Sequence, residues 1–249
     1  MPLLMLISFT LLCFAATGPA HGAPTNSERR ECVVLLHGLG RFPVSMKPIE
    51  RDLRRAGYHV VNLSYPSWRV PVERIADDYL PRELARRIPA GTAKVHFVSH
   101  SLGGILLRQH LATHTFTNLG RVVMLGPPNR GSTLADWFKC CDVVRWVVGP
   151  NLPRLGTGPD DLPARLGPAN FELGVIAGDR PLFGGFLLDE RPNDSKVTVN
   201  ATRIAGMKDH VVVHSSHTFM MRNPAARHQT VHFLVNGHFD RDEARGVRF

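Results

Sequence analysis

Cysteine is scarce: the chain has four in 249 residues, with no C-x-x-C pair and no Cys/His spacing of a zinc site. That excludes a small disulfide scaffold and a zinc finger, and a chain this long buries a core without such staples. Tyrosine and tryptophan are few, three of each, and no aromatic residues interleave with the basic ones. No internal repeat, low-complexity tract or linker divides the sequence. Acidic side chains number 21 against 30 Lys plus Arg, a net charge of +9 with histidine neutral. The excess admits an acidic partner. Yet Arg29-Arg30, Arg51, Arg54-Arg55 and Arg86-Arg87 are scattered and interrupted by acids. That is a solvated basic surface, and no nucleic acid is expected. With 43% hydrophobic and 20% charged residues the chain is globular, not disordered.

No apolar run is long enough to span a membrane. From Met1 to Gly22 there is no charged side chain, and residues 3–16 are apolar. That run falls short of the ~18 residues of a spanning helix and fits the core of a secretory signal. Ala20-His21-Gly22 is the expected cleavage site. The alternative is an uncleaved N-terminal anchor. The expected organisation is residues 1–22 for export and residues 23–249 as one domain, in a periplasmic or secreted protein. Cleavage removes no Lys, Arg, Asp or Glu, so the +9 survives. An anionic membrane surface is then its candidate counterpart. Cys32, Cys140 and Cys141 would remain, an odd number. The adjacent pair would form a vicinal disulfide or pair separately, and no chemistry is assigned to it.

What is present is an alternation of short apolar strands and helical patterns. Cys32–Leu36, Tyr58–Leu63, Val95–Val98, Val122–Leu125, Phe171–Ala177 and Val211–Val213 read as strands. Ile49, Leu53 and Ala56 fall at helical spacing, with Gly57 as C-cap. Val72–Ile88 reads as a helix interrupted or kinked at Pro81, and Ile105–Ala112 as another helix. Uninterrupted apolar strands between helices indicate a parallel sheet covered on both faces. Residues 131–169, rich in Pro, Gly and Leu, break the alternation and are the expected lid-like insertion. Trp137, Phe138 and Trp146 are its candidate cover for an apolar pocket, or ordinary core.

Ser101 stands out. A strand runs into Ser99-His100-Ser101-Leu102-Gly103-Gly104 and a helix leaves it. A nucleophile elbow needs small residues two before and two after the serine, because the backbones there nearly touch. Ser99 and Gly103 meet that need. His37-Gly38-Leu39-Gly40 follows the first strand. Acyl transfer needs N–H donors aimed at the oxyanion of its tetrahedral intermediate. Leu102, just after the serine, and Leu39 are the candidates, with His37 bracing the loop. A serine nucleophile also needs a basic histidine and an acid to orient it, in the order Ser, Asp or Glu, His. His217 lies beyond Val211–Val213, in a loop before a helical tail; His214 is nearer the strand. His228 and His232 are one turn apart, but no third metal ligand accompanies them, so no metal is expected. Asp194, in Asn193-Asp194-Ser195, is the leading acid, Asp179 the second candidate, and Asp189 and Asp209 weaker ones.

Together with Gly126-Pro127-Pro128-Asn129-Arg130-Gly131-Ser132, these motifs resemble those of α/β-hydrolase-fold lipases and esterases. More narrowly they are similar to bacterial lipase-like (PGAP-like and DUF676-type) serine hydrolases. In that family a turn like Asn193-Asp194-Ser195-Lys196-Val197 carries the acid, and a segment like Ser216-His217-Thr218-Phe219-Met220-Met221 carries the histidine. The resemblance spans roughly Val33 to Phe239 and raises Asp194 and His217 above their competitors. Ser99 replaces the first elbow glycine, and Ser195 the glycine after the acid. The resemblance implies a mostly parallel sheet flanked by helices, a small lid, and carboxylic ester hydrolysis through an acyl-enzyme. The triad would be Ser101, Asp194 and His217, the oxyanion donors Leu39 and Leu102, and no cofactor would be needed. Acyl transfer or thioester hydrolysis on the same fold, and a catalytically silent binding protein, are the other readings.

Overall fold

A computed structural model describes residues 30–139, 149–182, 188 and 190–242. The expected export segment, the Cys140-Cys141 pair, Trp146 and Asp189 lie outside the described residues. The strands are β1 (Glu31–Leu36), β2 (His59–Leu63), β3 (Lys94–His100), β4 (Leu119–Leu125), β5 (Leu173–Gly178) and β6 (Asp209–Val213). They form one sheet in the order β2-β1-β3-β4-β5-β6, every pair parallel. All six lie where the apolar runs place them. Parallel neighbours need crossovers, and helices supply them: α1 (Lys47–Arg55), α2 (Val72–Arg74), α3 (Leu80–Arg87), α4 (Leu102–Thr113), α5 (Thr133–Trp137), α6 (Leu162–Arg165) and α7 (Pro224–Asn236).

The period of two along each strand divides the core. Cys32, Val34 and Leu36 of β1 face one cluster, with Ile75, Leu80 and Leu84 and with Ile105 and Leu106 of α4. Val33 and Leu35 face the other, against Ile49 and Leu53 of α1 and Phe233 and Leu234 of α7. Each such buried side chain contributes about 1.5–3 kcal/mol relative to exposure. Helix α4 runs almost wholly buried, which explains its unbroken Leu-Gly-Gly-Ile-Leu-Leu run. Its buried Arg108 donates to the carbonyls of Asn129, Pro163 and Gly167 and so ties residues 163–167 to the core.

Two local details refine the sequence reading. Gly57 takes φ +89°, as a residue ending α1 should. The expected break at Pro81 is instead a π turn, Ile75–Tyr79, running without a gap from α2 into α3. Pro81 then falls in the first turn of α3, where its missing N–H is tolerated.

Among the described residues the chain enters the sheet at β1, one strand in from the edge. It moves to β2 on one side, then crosses to β3 on the other. This order reversal opens a crevice outside the carboxyl ends of β1 and β3, where open α/β sheets bind ligands. The loop 37–40 and Ser101 emerge at that crevice.

Candidate active site

Ser101 joins β3 to α4 with φ +55° and ψ −122°, a strained turn that exposes its side chain. The reason for the small neighbour is visible. A Cβ on Gly103 would lie 2.6 Å from the Leu36 carbonyl oxygen and 2.8 Å from that of His37. Only glycine lets α4 start this close to the end of β1.

The other site residues arrive on loops after β5 and β6. His217 Nε2 lies 2.9 Å from Ser101 Oγ, and its Nδ1 lies 2.7 Å from Asp194 Oδ2. Nδ1–H donates to the carboxylate, which leaves Nε2 to accept the serine proton. Asp194 is fully buried, and a buried carboxylate needs every lone pair used. Its Oδ1 accepts the N–H groups of Lys196 at 3.0 Å and Val197 at 2.8 Å. Its carbonyl accepts the His217 N–H at 2.9 Å, which sets the spacing of the two loops. Ser195 holds φ +89°, the left-handed region that favours glycine.

The loop after β1 lies against the elbow. A Cβ on Gly38 would stand 3.2 Å from Ser101 Cβ. The Gly38 carbonyl accepts from the Arg41 N–H at 3.2 Å and from His37 Nδ1 at 3.0 Å. The Leu39 N–H, on the opposite side of the same peptide plane, meets no acceptor among the described residues. Leu102 opens α4, so its N–H has no partner within the helix. His37 stacks on Tyr65 with ring centroids 4.1 Å apart, and the Tyr65 hydroxyl donates to the His37 carbonyl. It braces the loop.

A model described as the alpha/beta hydrolase family matches residues 33–242. The chain belongs to the alpha/beta hydrolase family. Solved structures agree in fold. Lipase BlEst2 of Bacillus licheniformis, in mature form, is 20% identical with a TM-score of 0.64, over 78% of this chain and 87% of that one. A metagenomic carboxyl esterase is 20% identical with a TM-score of 0.61, over 83% and 71%. Phospholipase PlaB of Legionella pneumophila is 19% identical with a TM-score of 0.52, over 70% of this chain and 45% of that one. No curated protein matches the chain.

Within this alpha/beta hydrolase the candidates separate cleanly. Asp179 and His214 pair with each other, Nδ1 to Oδ1 at 3.0 Å, with the His214 side chain 68% exposed. Asp209 is held by Arg241 and by the Phe239 N–H. His228 lies 3.2 Å from Asp240, and His232 Nδ1 lies 2.9 Å from the His238 carbonyl. Ser101 opens into a pocket of about 300 Å3, whose walls include Leu39, Trp68, Phe138, Leu152, Arg41 and Lys196.

Three neighbours of the site escaped the sequence reading. His100, the residue before Ser101, is buried beneath His217, with its Nε2 3.0 Å from the His217 carbonyl. Burial and the neighbouring His217 hold its pKa well below the usual histidine range, so it stays neutral beside the base. Its place inside the elbow motif was the available signal. Arg41 and Lys196 are the other two. Lys196 sits inside the acid's own turn, but no pattern marks Arg41.

Proposed function

We propose that this alpha/beta hydrolase cleaves carboxylic esters through an acyl-enzyme on Ser101. The observation that carries the reading is the hydrogen-bonded line Asp194–His217–Ser101, at 2.7 and 2.9 Å, ending on a serine in an elbow. The names lipase, carboxyl esterase and phospholipase among the structural neighbours favour an ester over other acyl substrates.

Ser101 Oγ attacks the ester carbonyl as His217 Nε2 takes its proton. The Leu39 and Leu102 N–H groups bind the oxyanion, and Asp194 stabilises the imidazolium. His217 then returns the proton to the departing alcohol. Water, deprotonated by the same nitrogen, releases the acid. Each step uses only this chain's groups. We place the protein in the lipase-like, PGAP-related branch, with the 131–169 region as a lid. We also propose export, with the basic surface facing an anionic membrane.

Two assays test the reading. A fluorophosphonate probe should label Ser101 in the folded protein, and Ser101→Ala should abolish turnover of a short p-nitrophenyl ester. Unchanged turnover overturns the assignment, and no labelling points to a silent binding protein. Faster reaction with thioesters or alcohol acceptors would move the chemistry to thioester hydrolysis or acyl transfer, which share the acyl-enzyme.

A further inference from the structure

The pocket at Ser101 is lined by both apolar and cationic side chains. Leu39, Trp68, Leu152 and Leu155 are among its apolar lining, and Arg41 and Lys196, close enough to act on each other, are its cations. Several cations elsewhere are paired: Lys139 with Asp136 and Asp161, Arg121 with Glu172, Arg227 with Asp52. These two face no available carboxylate among the described residues. Arg41 gives one N–H to the Thr218 carbonyl at 3.1 Å. The acid nearest Lys196 in the turn is Asp194, whose oxygens are taken by His217 and by backbone N–H groups. Burial, then the charge of Arg41, lowers the Lys196 pKa, and burial, then Arg222, lowers that of Arg41. Like charges held together without a counterion repel, and an anion between them relieves that repulsion.

The side of the pocket matters. His217 must protonate the leaving alcohol, so the alcohol lies on the histidine side. Arg41 is tied to Thr218, the residue after His217. Lys196 is anchored by its own N–H to Asp194, and its carbonyl accepts from Ser132 at 2.6 Å. Both cations therefore flank the departing alcohol, and the apolar lining is left for the acyl chain. Two cations from separate loops match a phosphate, which carries about −1.5 to −2, better than a single carboxylate.

We infer that the substrate is an acyl ester of a phosphate-bearing alcohol, with Arg41 and Lys196 holding the phosphate. The inference rests on Ser101 as the nucleophile. The Ser101 Oγ–acyl carbon bond forms and the acyl carbon–alcohol oxygen bond breaks. The serine proton passes through His217 to that oxygen, and the alcohol leaves with its phosphate intact.

Two measurements separate the subsite from the chemistry. The first is calorimetric binding of decyl phosphate and of decanol to the Ser101→Ala protein, below their aggregation concentrations. Decyl phosphate should bind at least about tenfold tighter, and Lys196→Gln or Arg41→Gln should each remove most of that gap. Lys196→Gln keeps the backbone N–H and carbonyl that hold its turn, so that variant reports binding even if Arg41→Gln fails to fold. Equal affinities overturn the subsite. The second is hydrolysis of monomeric 1-decanoylglycerol and its 3-phosphate by the full chain. The kcat/KM should favour the phosphate about tenfold or more, and Lys196→Glu should reverse the preference. Equal rates overturn the subsite and leave ester hydrolysis standing. Hydrolysis of neither, with decyl phosphate still bound tightly, overturns the ester reading and leaves the subsite.

Discussion

At the carboxyl ends of the strands, His217 stands between a buried carboxylate at 2.7 Å and a serine hydroxyl at 2.9 Å. At the amino ends of the same sheet, buried His96 stands between the Glu31 carboxylate at 3.5 Å and the Arg121 N–H at 2.9 Å. Both imidazoles are buried, and both have a carboxylate on one side. The difference lies in the second nitrogen. His96 spends its acceptor lone pair on a backbone N–H, so nothing remains to take a proton. His217 gives its N–H to Asp194 and keeps Nε2 for a hydroxyl. A histidine–carboxylate contact is therefore not by itself a site; an acceptor nitrogen kept for a hydroxyl is what distinguishes the proposed one.

Exchanging the imidazole tests this most severely. His217→Gln should lower kcat/KM roughly 10⁵-fold or more, whereas His96→Gln should leave the folded protein's turnover within about twofold. Steady-state kinetics on both variants decides it, and a large loss in His96→Gln breaks the comparison. The carboxylates come next. Asp194→Asn should cost about 10⁴ in kcat by favouring the wrong tautomer, and Glu31→Gln should not register in the same assay.

The two ends should behave alike toward acid. Burial lowers the pKa of His96 at one end and of His100 and His37 at the other, and also of His110. His210 is pushed down to about 4 by burial and by Arg203. Below the ordinary value of about 6.5 the unfolded chain binds protons that the folded one refuses. The stability these groups contribute is complete above pH 6.5 and is lost as pH falls toward 4. Urea midpoints should fall through that window, and a flat profile would refute it.

Smaller effects concern the backbone. Gly103→Ala should destabilise by about 2 kcal/mol, because the new Cβ meets two carbonyl oxygens rather than a movable side chain. A thermal melt reads it, and an unchanged Tm would mean the elbow relaxes. Smallest is Ser195→Gly. It releases a left-handed serine but gives the unfolded chain more freedom, for a net gain of about 0.5 kcal/mol. A lower Tm would show that the strain is not real.

Much of this was legible in the chain. The six strands follow from runs such as Cys32–Leu36 and Val95–Val98, because a doubly covered parallel strand must be apolar on both faces. The elbow was legible because its steric demand is met within six residues. Pro81 signalled an interruption, and the structure places it as a π turn, Ile75–Tyr79, just before the proline rather than as a gap. The acid and base were harder. Chain position put Asp194 and His217 only narrowly ahead of Asp179 and His214, and the family resemblance widened the margin.

The sequence by itself determined the strand pattern, the elbow at Ser101 and the glycine-rich loop after β1, because each is a demand between residues close in the chain. Tertiary structure alone decided which acid meets which histidine. Asp179 and His214 find each other at the surface, while Asp194 and His217 converge on Ser101. It also brought Arg41 and Lys196 to one pocket. These groups leave different strands, and strand order brings their loops together. That order is fixed by how the whole sheet buries its two faces, which no local pattern records.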